Sequence, residues 1–380
     1  MLRPTHAIVD LDALRHNIKV LREHVGKDTK FMAVVKANAY GHGIVETSLA
    51  AQHAGVEYLG VSIPEEGMRL RDAGVTANIL ILGGMLPEAA ELVVAYNLIP
   101  SVYSMELLEA LQREAAKHNT VCRIHIKADT GMNRIGVKTI GAFRILLRRA
   151  LECPNIFLEG LFTHFAVSEI ADKSFTLEQG KRFLDFVNIA KEMGVSPMLH
   201  ASNSGALLDV PELSFDMVRA GIAMYGYHPG PGCGEDVELK PVLTWKTAIT
   251  HVKEIDPGDT VSYGRHYMAQ ERRMIATLPV GYGDGYKRSL SNKAYVVIHN
   301  TRVPVVGVVC MDQCMVDVTG IPAVKVGDEA VLLGCQGEAC FDADEMAQFA
   351  DTISYEILLS ISDRVPRVHT GGYRPMKELL

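Results

Sequence analysis

Short apolar runs alternate with amphipathic segments from the amino-terminal end of the chain to Arg219. The apolar runs are too short for helices and many are β-branched, so they predict buried strands. The predicted strands are residues 5–9, the run that ends at Lys36, and residues 58–62, 79–82, 98–102, 123–128, 156–163, 197–200 and 215–219. Between them, apolar positions recur with the helical period. The predicted helices are residues 10–24, 44–54, 64–73, 87–96, 105–118, 140–151, 177–193 and 203–208.

Counted from the strand that ends at Lys36, this part of the chain holds eight strand–helix alternations. Eight such units predict a closed parallel (β/α)8 barrel, with an open doubly wound sheet as the alternative. In such barrels the chemistry lies at the carboxyl ends of the strands. We therefore expect one shared mouth for the polar residues that end apolar runs, namely Lys36, Lys127, His164, His200 and Arg219.

The pattern changes at the Gly/Pro-rich segment 229–232, which is typical of a linker. Beyond it, short β-rich runs are separated by turns at residues 243–252, 274–280, 295–298, 303–309 and 330–333, and two helical segments follow at 342–349 and 354–361. We therefore predict an α/β protein of two domains. Residues 1–232 form the barrel, and residues 233–380 form a mostly β domain.

Composition narrows the class of protein. A net charge of −7 without a long basic run argues against nucleic acid or an anionic membrane as the main partner. The apolar runs are far shorter than a membrane span, and no apolar signal core precedes the first predicted strand. Seven cysteines in a chain of 380 residues do not indicate a disulfide framework. We expect a cytoplasmic protein.

Lys36 is the first candidate for chemistry, because it follows a buried strand and precedes turn residues. A charged lysine buried there needs a partner or a lowered pKa, and a neutral amine can form a Schiff base with a carbonyl group. The alternative is an ordinary lysine whose stem lies on apolar surface and whose amine reaches water. The residues of this segment alone leave both open.

Other segments carry candidate groups of different kinds. Arg134, on a Gly-flanked loop, is suited to clamp a carboxylate or to bond a phenolate, although a surface ion pair would use the same residue. Ser204 precedes a short helix, where its hydroxyl and free backbone N–H groups can hold a phosphate. The Gly-rich segment 278–286 lacks the Lys-Ser/Thr ending of a phosphate loop. Cys310 and Cys314 would be about 13 Å apart on a strand, so we expect no metal site.

Together these segments resemble the signatures of the alanine racemases, which use pyridoxal phosphate (PLP). The match includes Lys36-Ala37-Asn38-Ala39-Tyr40-Gly41 around the cofactor lysine of that family. It continues through residues 127–136, 163–166, 200–204, 218–226, 261–264, 278–286, 309–314, 354–356 and 364–367. The resemblance implies a barrel-type racemase that interconverts L- and D-alanine through two bases.

The resemblance also implies roles for individual residues. Lys36 carries the cofactor and serves as the base for D-alanine, while Tyr263 is the base for L-alanine. The pKa of an unperturbed tyrosine is about 10 and must be lowered for this role, with His164 as its implied partner. The other implied residues are Arg134 and the Met311 backbone N–H for the substrate carboxylate, Tyr282 at the entrance, and Lys127, often carbamylated in the family, beside Arg134.

The implied cofactor contacts are Lys36, Tyr40, His164, Asn203, Ser204, Arg219, Gly221, Ile222 and Tyr355. Arg219 would face the ring nitrogen, where many PLP enzymes place a carboxylate. A permanent cation leaves that nitrogen unprotonated, which favours proton exchange at Cα over transamination. A structural salt bridge is the alternative role for this arginine.

The resemblance further implies a head-to-tail homodimer in which Tyr263 and Met311 complete the partner's site. Three alternatives stay open at this point. A racemase that prefers serine or accepts several small amino acids would share these motifs. A PLP decarboxylase would carry an acidic residue toward the ring nitrogen and a Glu-Pro-Gly-Arg segment, neither of which is found. A non-catalytic PLP-binding protein is usually a single barrel, so the second domain argues against it.

Overall fold

The computed structural model describes residues 3–371. It confirms a closed barrel of eight parallel strands followed by a mostly β region, and the open doubly wound sheet is not formed. In chain order the first nine strands are β1 His6–Asp10, β2 Lys30–Val34, β3 Tyr58–Val61, β4 Asn78–Ile81, β5 Ile99–Val102, β6 Cys122–Lys127, β7 Ile156–Phe162, β8 Met198–His200 and β9 Met217–Ala220. Strands β2 to β9 close the barrel, with β9 pairing back to β2.

Helices connect the barrel strands. They are α1 Leu11–Val25, α2 Ile44–His53, α3 Pro64–Asp72, α4 Ala90–Ala95, α5 Met105–Lys117, α6 Ile140–Glu152, α7 Ser174–Glu192 and α8 Ser204–Asp209. Short 3₁₀ turns lie at Pro87–Ala89, Pro211–Leu213 and Ile222–Tyr225. Hydroxyl side chains cap the amino-terminal ends of α5 and α6. Ser104 accepts a hydrogen bond from Leu107 N, and Thr139 accepts one from Ala142 N.

Contacts between Cα atoms divide the chain into two compact units. The barrel unit contains residues 14–39 and 44–240, and the β-rich unit contains residues 3–13, 40–43 and 241–371 of the described chain. The first strand therefore lies in the β-rich unit, although the sequence analysis assigned it to the barrel domain. The reason is its pairing, antiparallel with strand Leu243–Ala248 and parallel with strand Arg367–Thr370.

The remaining strands of the β-rich unit are β10 Leu243–Ala248, β11 His251–Ile255, β12 Thr260–Val261, β13 Tyr267–Met268, β14 Arg273–Leu278, β15 Tyr295–Ile298, β16 Thr301–Pro304, β17 Cys314–Asp317, β18 Glu329–Gln336, β19 Ala339–Phe341 and β20 Arg367–Thr370. One sheet has the order β16-β15-β18-β10-β1-β20, with β19 on β18, and a second has the order β11-β14-β17. Helices α9 Ala343–Ala350 and α10 Ser354–Ser360 precede β20, and 3₁₀ turns lie at Tyr263–Arg265, Tyr282–Asp284 and Arg288–Leu290.

Two predicted runs differ in the structure. Residues 243–252 form two strands because the chain changes sheets: β10 pairs with β1 and β18, whereas β11 pairs with β14. In the run 303–309 the strand ends at Pro304, because the chain changes partner there: Val305 forms an isolated antiparallel bridge with Val316, and Val306 N donates to Met315 O at 2.9 Å. The valines of this run beyond Pro304 are buried.

Two further features concern cysteines and membranes. A disulfide joins Cys335 on β18 to Cys340 on β19, a bond that the sequence analysis did not predict. Within residues 3–371, no helix is both long and apolar enough to cross a lipid bilayer.

Candidate active site

Lys36 lies just beyond β2 and is followed by a left-handed turn. Residues 37–40 have φ angles between 52° and 54°, although none is a glycine. This conformation costs about 1–2 kcal/mol per residue, so other contacts must hold it. One is the carboxylate of Glu66, whose Oε1 accepts a hydrogen bond of 2.5 Å from Ala37 N and whose Oε2 accepts one of 2.7 Å from Ser62 N. Glu66 thus ties the start of α3 to the turn after Lys36.

The amine of Lys36 is half-buried at the mouth of the barrel. Burial lowers its pKa, and the cations Arg134 and Arg219 lower the pKa further, while Glu66 opposes them. A lower pKa increases the neutral fraction of the amine, which is the form that attacks an aldehyde and accepts a proton.

Lys127 ends β6 and has only 3% of its surface exposed. Burial lowers its pKa to about 7, with Arg134 and Arg219 as the next causes. Its Nζ lies 5.3 Å from the centre of the Phe162 ring, and among residues 3–371 no carboxylate forms an ion pair with it. The neutral form of this amine is therefore far more populated near neutral pH than for an exposed lysine.

Arg134 lies on the loop that follows Lys127. Asp129 shapes this loop, because its Oδ1 accepts hydrogen bonds of 3.0 Å from Gly131 N and Asn133 N. The Arg134 side chain is exposed, and no described acidic residue pairs with it. The ordinary surface ion pair is therefore not formed within the described chain, and the guanidinium remains available to a carboxylate or a phenolate.

Arg219 is the third of the four residues of β9 and is almost fully buried. Its NH2 donates to Ala201 O at 2.7 Å and to Thr163 O at 3.0 Å, and it contacts His164 Nδ1 at 3.0 Å. Its NH1 contacts His200 Nδ1 at 2.9 Å. No acceptor within residues 3–371 bonds its Nε–H, so this N–H group is available to a ligand.

The charges around Arg219 follow from burial. Burial and then Arg134 lower the pKa of Arg219 to about 9, so the guanidinium stays protonated at neutral pH. Burial and the charge of Arg219 lower the pKa values of His164 and His200 well below the usual range, so both imidazoles are neutral. The structure therefore places a cation between two neutral histidines, and among residues 3–371 no carboxylate forms a salt bridge with it.

Ser204 joins the segments after β8 and β9. Its Oγ accepts hydrogen bonds from Gly221 N at 2.9 Å and from Ala223 N at 3.4 Å, on either side of Ile222. Asn203 caps α8 by accepting a hydrogen bond of 3.2 Å from Ala206 N. Backbone N–H groups and a hydroxyl converge here, a donor set suited to an anion such as phosphate.

Four of the predicted site residues, Tyr40, Tyr282, Met311 and Tyr355, lie in the β-rich unit. The rings of Tyr40 and Tyr355 are 5.9 Å apart, so the structure brings these two together. Tyr282 and Met311 also lie on neighbouring loops, because Gly283 N donates to Met311 O at 2.8 Å and Gly281 closely approaches the same segment. The side chains of Tyr282 and Met311 are 44% and 54% exposed.

Tyr263 is the fifth, and it lies in the turn between β12 and β13. Its side chain is 73% exposed. Ser262 before it has a φ of 67° and is held there by donating from Oγ to Val308 O at 2.6 Å. Gly307 leaves the space for this turn, since a Cβ there would meet Val261 O at 2.7 Å. A strained turn thus projects the phenol outward.

Cations dominate the barrel mouth. Lys36, Lys127 and Arg219 each have a pKa lowered by neighbouring cations, and Arg134 is among the causes for all three. Such a site suits an anionic ligand, and PLP fits the donors: an amine for its aldehyde, the Ser204 cluster for its phosphate and the Arg219 Nε–H for its ring nitrogen. The fold and the site together define a barrel-type PLP-dependent enzyme.

Comparison with known proteins identifies the family. The model of the alanine racemase N-terminal domain matches residues 9–229, and that of the C-terminal domain matches residues 242–369. Alanine racemase from Halothermothrix orenii is 46% identical over 366 residues, 96% of each chain, and that from Symbiobacterium thermophilum is 46% identical over 371 residues, 97% of this chain and 98% of the relative. The chain belongs to the alanine racemase family.

Solved structures agree with this assignment. Alanine racemase from Clostridium difficile 630 has a TM-score of 0.92 at 37% identity and covers 97% of this chain and 96% of its own. Alanine racemase from Bacillus anthracis with bound L-Ala-P has a TM-score of 0.92 at 35% identity, over 97% of this chain and 95% of its own.

Several residues near the site were not found from the sequence. They are Glu66, which holds the left-handed turn, and His125 and Glu159, which bond to each other inside the barrel. A signal for His125 was present: in β6, His125 alternates with Lys127, so both side chains face the same side of the strand. In the described chain no group of three or more His, Cys, Asp or Glu side chains is arranged to hold a metal ion.

Proposed function

We propose that this chain racemises alanine with Lys36 and Tyr263 as the two bases and with a second copy of the chain completing the site. The protein is an alanine racemase by its family, and that family depends on PLP. When bound, PLP withdraws electrons from the substrate and makes the Cα proton acidic. The observation that carries the assignment of bases is a lysine of lowered pKa beside an unpaired guanidinium.

Each barrel residue has a different role in the proposed reaction, according to its position. Arg134 has a free guanidinium to hold the substrate carboxylate, so the Cα–H bond is oriented. On one face, the neutral amine of Lys36 accepts the Cα proton of D-alanine, and the protonated amine returns a proton to Cα from the same face. Arg219 would donate its free Nε–H to the ring nitrogen of the cofactor and, as a cation, would disfavour protonation of that nitrogen. Ser204 and the N–H groups near it would hold the phosphate.

A racemase needs a second base on the opposite face, and Tyr263 is our assignment for L-alanine, with His164 as its partner. The support is the exposed position of this phenol at the tip of a strained turn. The Tyr263→Phe variant should still bind the cofactor through Lys36, but it should not exchange the Cα proton of L-alanine with deuterated water. This result would support the assignment. Undiminished exchange would contradict it.

The homodimer is proposed from the exposed side chains of the β-rich unit. Tyr263, Tyr282 and Met311 are large, partly apolar and between 44% and 73% exposed, as expected for surface that a second copy covers. Mixing two inactive variants provides the test. A hybrid of Lys36→Ala and Tyr263→Phe chains has one intact site only if the lysine and the phenol come from different chains. Regained activity supports sharing, and a hybrid without activity refutes it.

Lys127 is proposed to be carbamylated. Its neutral amine would attack carbon dioxide, form an N–C bond and release one proton, which leaves an anion near Arg134 and Arg219. The support is its lowered pKa and the cations that surround it. Mass spectrometry of the intact protein with isotopically labelled bicarbonate, trapped by alkylation, tests the modification.

The reaction itself is tested with the cofactor. Protein with PLP should absorb visible light and should keep the cofactor after borohydride reduction. Incubated with separate L-amino acids, it should produce mixtures of the L and D forms on chiral analysis, with alanine converted faster than serine. Colourless protein, or a Lys36→Ala variant that retains the covalent cofactor, would refute the assignment. We also propose that the enzyme works in the cytoplasm, which fractionation of cells tests.

A further inference from the structure

A row of hydrogen bonds runs through the interior of the barrel from Arg219. Its NH1 contacts His200 Nδ1 at 2.9 Å, and His200 Nε2 contacts His125 Nδ1 at 2.8 Å. His125 Nε2 in turn contacts Glu159 Oε2 at 3.1 Å. Both histidines are fully buried, and the residues of the row come from four barrel strands, β9, β8, β6 and β7.

The charged ends fix the direction of every bond in this row. A guanidinium can only donate, so Nδ1 of His200 must accept and its proton must lie on Nε2. Nε2 of His200 then donates to Nδ1 of His125, so the proton of His125 also lies on Nε2, which donates to the carboxylate of Glu159. Reversing either imidazole would place two donors or two acceptors face to face in a buried site, which is costly.

Neighbouring barrel residues leave space for the two imidazole rings and pack against them. Gly160 leaves the space for His125, since a Cβ at that position would lie 2.4 Å from its Nδ1. The pairing of β6 with β7 shifts its register next to His125. The ring of Phe162 stacks on His200 with centres 4.6 Å apart and planes 4° apart. Both imidazoles are therefore held in position as well as bonded.

Glu159 is held as the acceptor at the end of the row. Arg123 NH1 donates to its Oε1 at 3.1 Å, so each carboxylate oxygen has its own donor. Burial opposes ionisation of this carboxyl, but the hydrogen bonds from His125 and Arg123 outweigh it and lower its pKa. Its side chain is 15% exposed, so it is an anion placed inside the barrel and away from the mouth.

We propose that Glu159, acting through His125 and His200, is a positioning residue that holds Arg219 charged and correctly oriented toward the ring nitrogen of the cofactor. This inference rests on the proposed function. A carboxylate in direct contact with Arg219 would pair with it and compete for the donor that faces the cofactor. A carboxylate two imidazoles away provides the opposite charge without taking that donor.

Glu159→Gln is the main test. The amide of glutamine can rotate and present either a donor or an acceptor to His125, so the row loses its imposed direction. We expect kcat to fall about tenfold, which is about 1.4 kcal/mol, while the KM for alanine changes much less because Arg134 holds the substrate. The matched control is Glu109→Gln, since Glu109 likewise accepts one hydrogen bond at each carboxylate oxygen, both from Arg149, but on the outside of the barrel.

Nitrogen-15 spectra of the histidine side chains in the PLP-loaded protein give a measurement independent of activity. In the wild type both His125 and His200 should carry the proton on Nε2, and in Glu159→Gln His125 should show both tautomers. The absorption of the bound cofactor should shift in Glu159→Gln and in His125→Phe, which keeps the ring volume. Glu109→Gln should match the wild type in all three measurements.

The outcomes separate this inference from the proposed function. Protons on Nδ1 in the wild type would overturn the row whatever the activity. If Glu159→Gln matches Glu109→Gln in cofactor absorption and kcat, the row is only structural and the inference fails, even where Glu159→Gln is less stable to heat. A wild-type protein that binds PLP but does not racemise alanine would instead refute the proposed function.

Discussion

Replacing Lys127 by methionine should make the protein more stable at neutral pH in buffer free of carbon dioxide. Methionine has a similar length but no charge, and Lys127 forms no ion pair within residues 3–371. The substitution therefore removes a buried cation and little else. The remaining loss is the contact of the amine with the ring of Phe162, 5.3 Å away, which is worth about 0.5–1 kcal/mol.

The magnitude follows from the pKa of Lys127, which burial lowers from 10.5 to about 7. The difference is about 3.5 units, and at about 1.36 kcal/mol per unit it corresponds to a cost of about 5 kcal/mol in the folded state. After subtraction of the contact with Phe162, the gain from Lys127→Met is about 4 kcal/mol at most. Relaxation of the folded chain and water entry reduce this value.

The dependence on pH has a definite sign. Between pH 7 and 10.5 the unfolded chain holds a proton on Lys127 that the folded chain has released, so the stability of the wild type rises with pH in this range. Below pH 7 both states are protonated and the full cost is present. Above pH 10.5 both are neutral and the cost disappears. The advantage of Lys127→Met should therefore be constant below pH 7 and decline toward pH 10.5.

Urea unfolding at pH 6.5, 8 and 10 measures these differences, with and without bicarbonate. Bicarbonate should stabilise the wild type, since a carbamate turns the buried cation into an anion beside Arg134, and should not affect Lys127→Met. Lys181→Met is the control, because Lys181 is exposed on α7 and should show neither effect. A variant less stable than the wild type in buffer free of carbon dioxide, at every pH, would refute the reasoning.

Three further predictions follow from single contacts. Arg219→Glu should increase the formation of pyruvate from alanine, measured with lactate dehydrogenase, because a carboxylate favours a protonated ring nitrogen; unchanged pyruvate formation would contradict this. Ser204→Ala should weaken PLP binding about 10- to 100-fold, measured by fluorescence titration, because the variant lacks the hydroxyl that donates to the phosphate; equal affinity would refute the phosphate site. Asp284→Asn should lower the free energy of unfolding by about 1–3 kcal/mol in urea, since Asp284 is fully buried and accepts two hydrogen bonds of 2.7 Å from Arg3; Asp312→Asn, an exposed carboxylate, should have little effect.

The barrel could be predicted from the sequence because its strands are buried on both faces. Such strands are continuous apolar runs, and β3 and β5 are buried at all four positions. Strand bounds differ from the predicted ones by one or two residues. The first strand could not be assigned to its unit, because its partners, β10 and β20, lie more than two hundred residues away.

The left-handed turn after Lys36 could not be predicted from local preferences. Ala37 and Ala39 favour right-handed helix, and only contacts distant in sequence, such as that of Glu66, make the other conformation stable. The row from Arg219 to Glu159 was missed for a related reason. His125 and His200 are 75 residues apart, and they meet only because β6 and β8 flank the same interior space.

The distribution of charge explains why the site suits proton exchange. The cations Lys36, Lys127, Arg134 and Arg219 are gathered at the mouth, while the carboxylate of Glu159 lies behind two neutral imidazoles. An acid close to Arg219 would neutralise the charge that, in the proposed function, disfavours protonation of the cofactor nitrogen, and a protonated ring would favour transamination. Because the groups in contact with Arg219 are carbonyl oxygens and neutral imidazoles, no carboxylate in direct contact offsets its charge. This arrangement agrees with the proposed reaction, in which one proton is removed from Cα and returned to it.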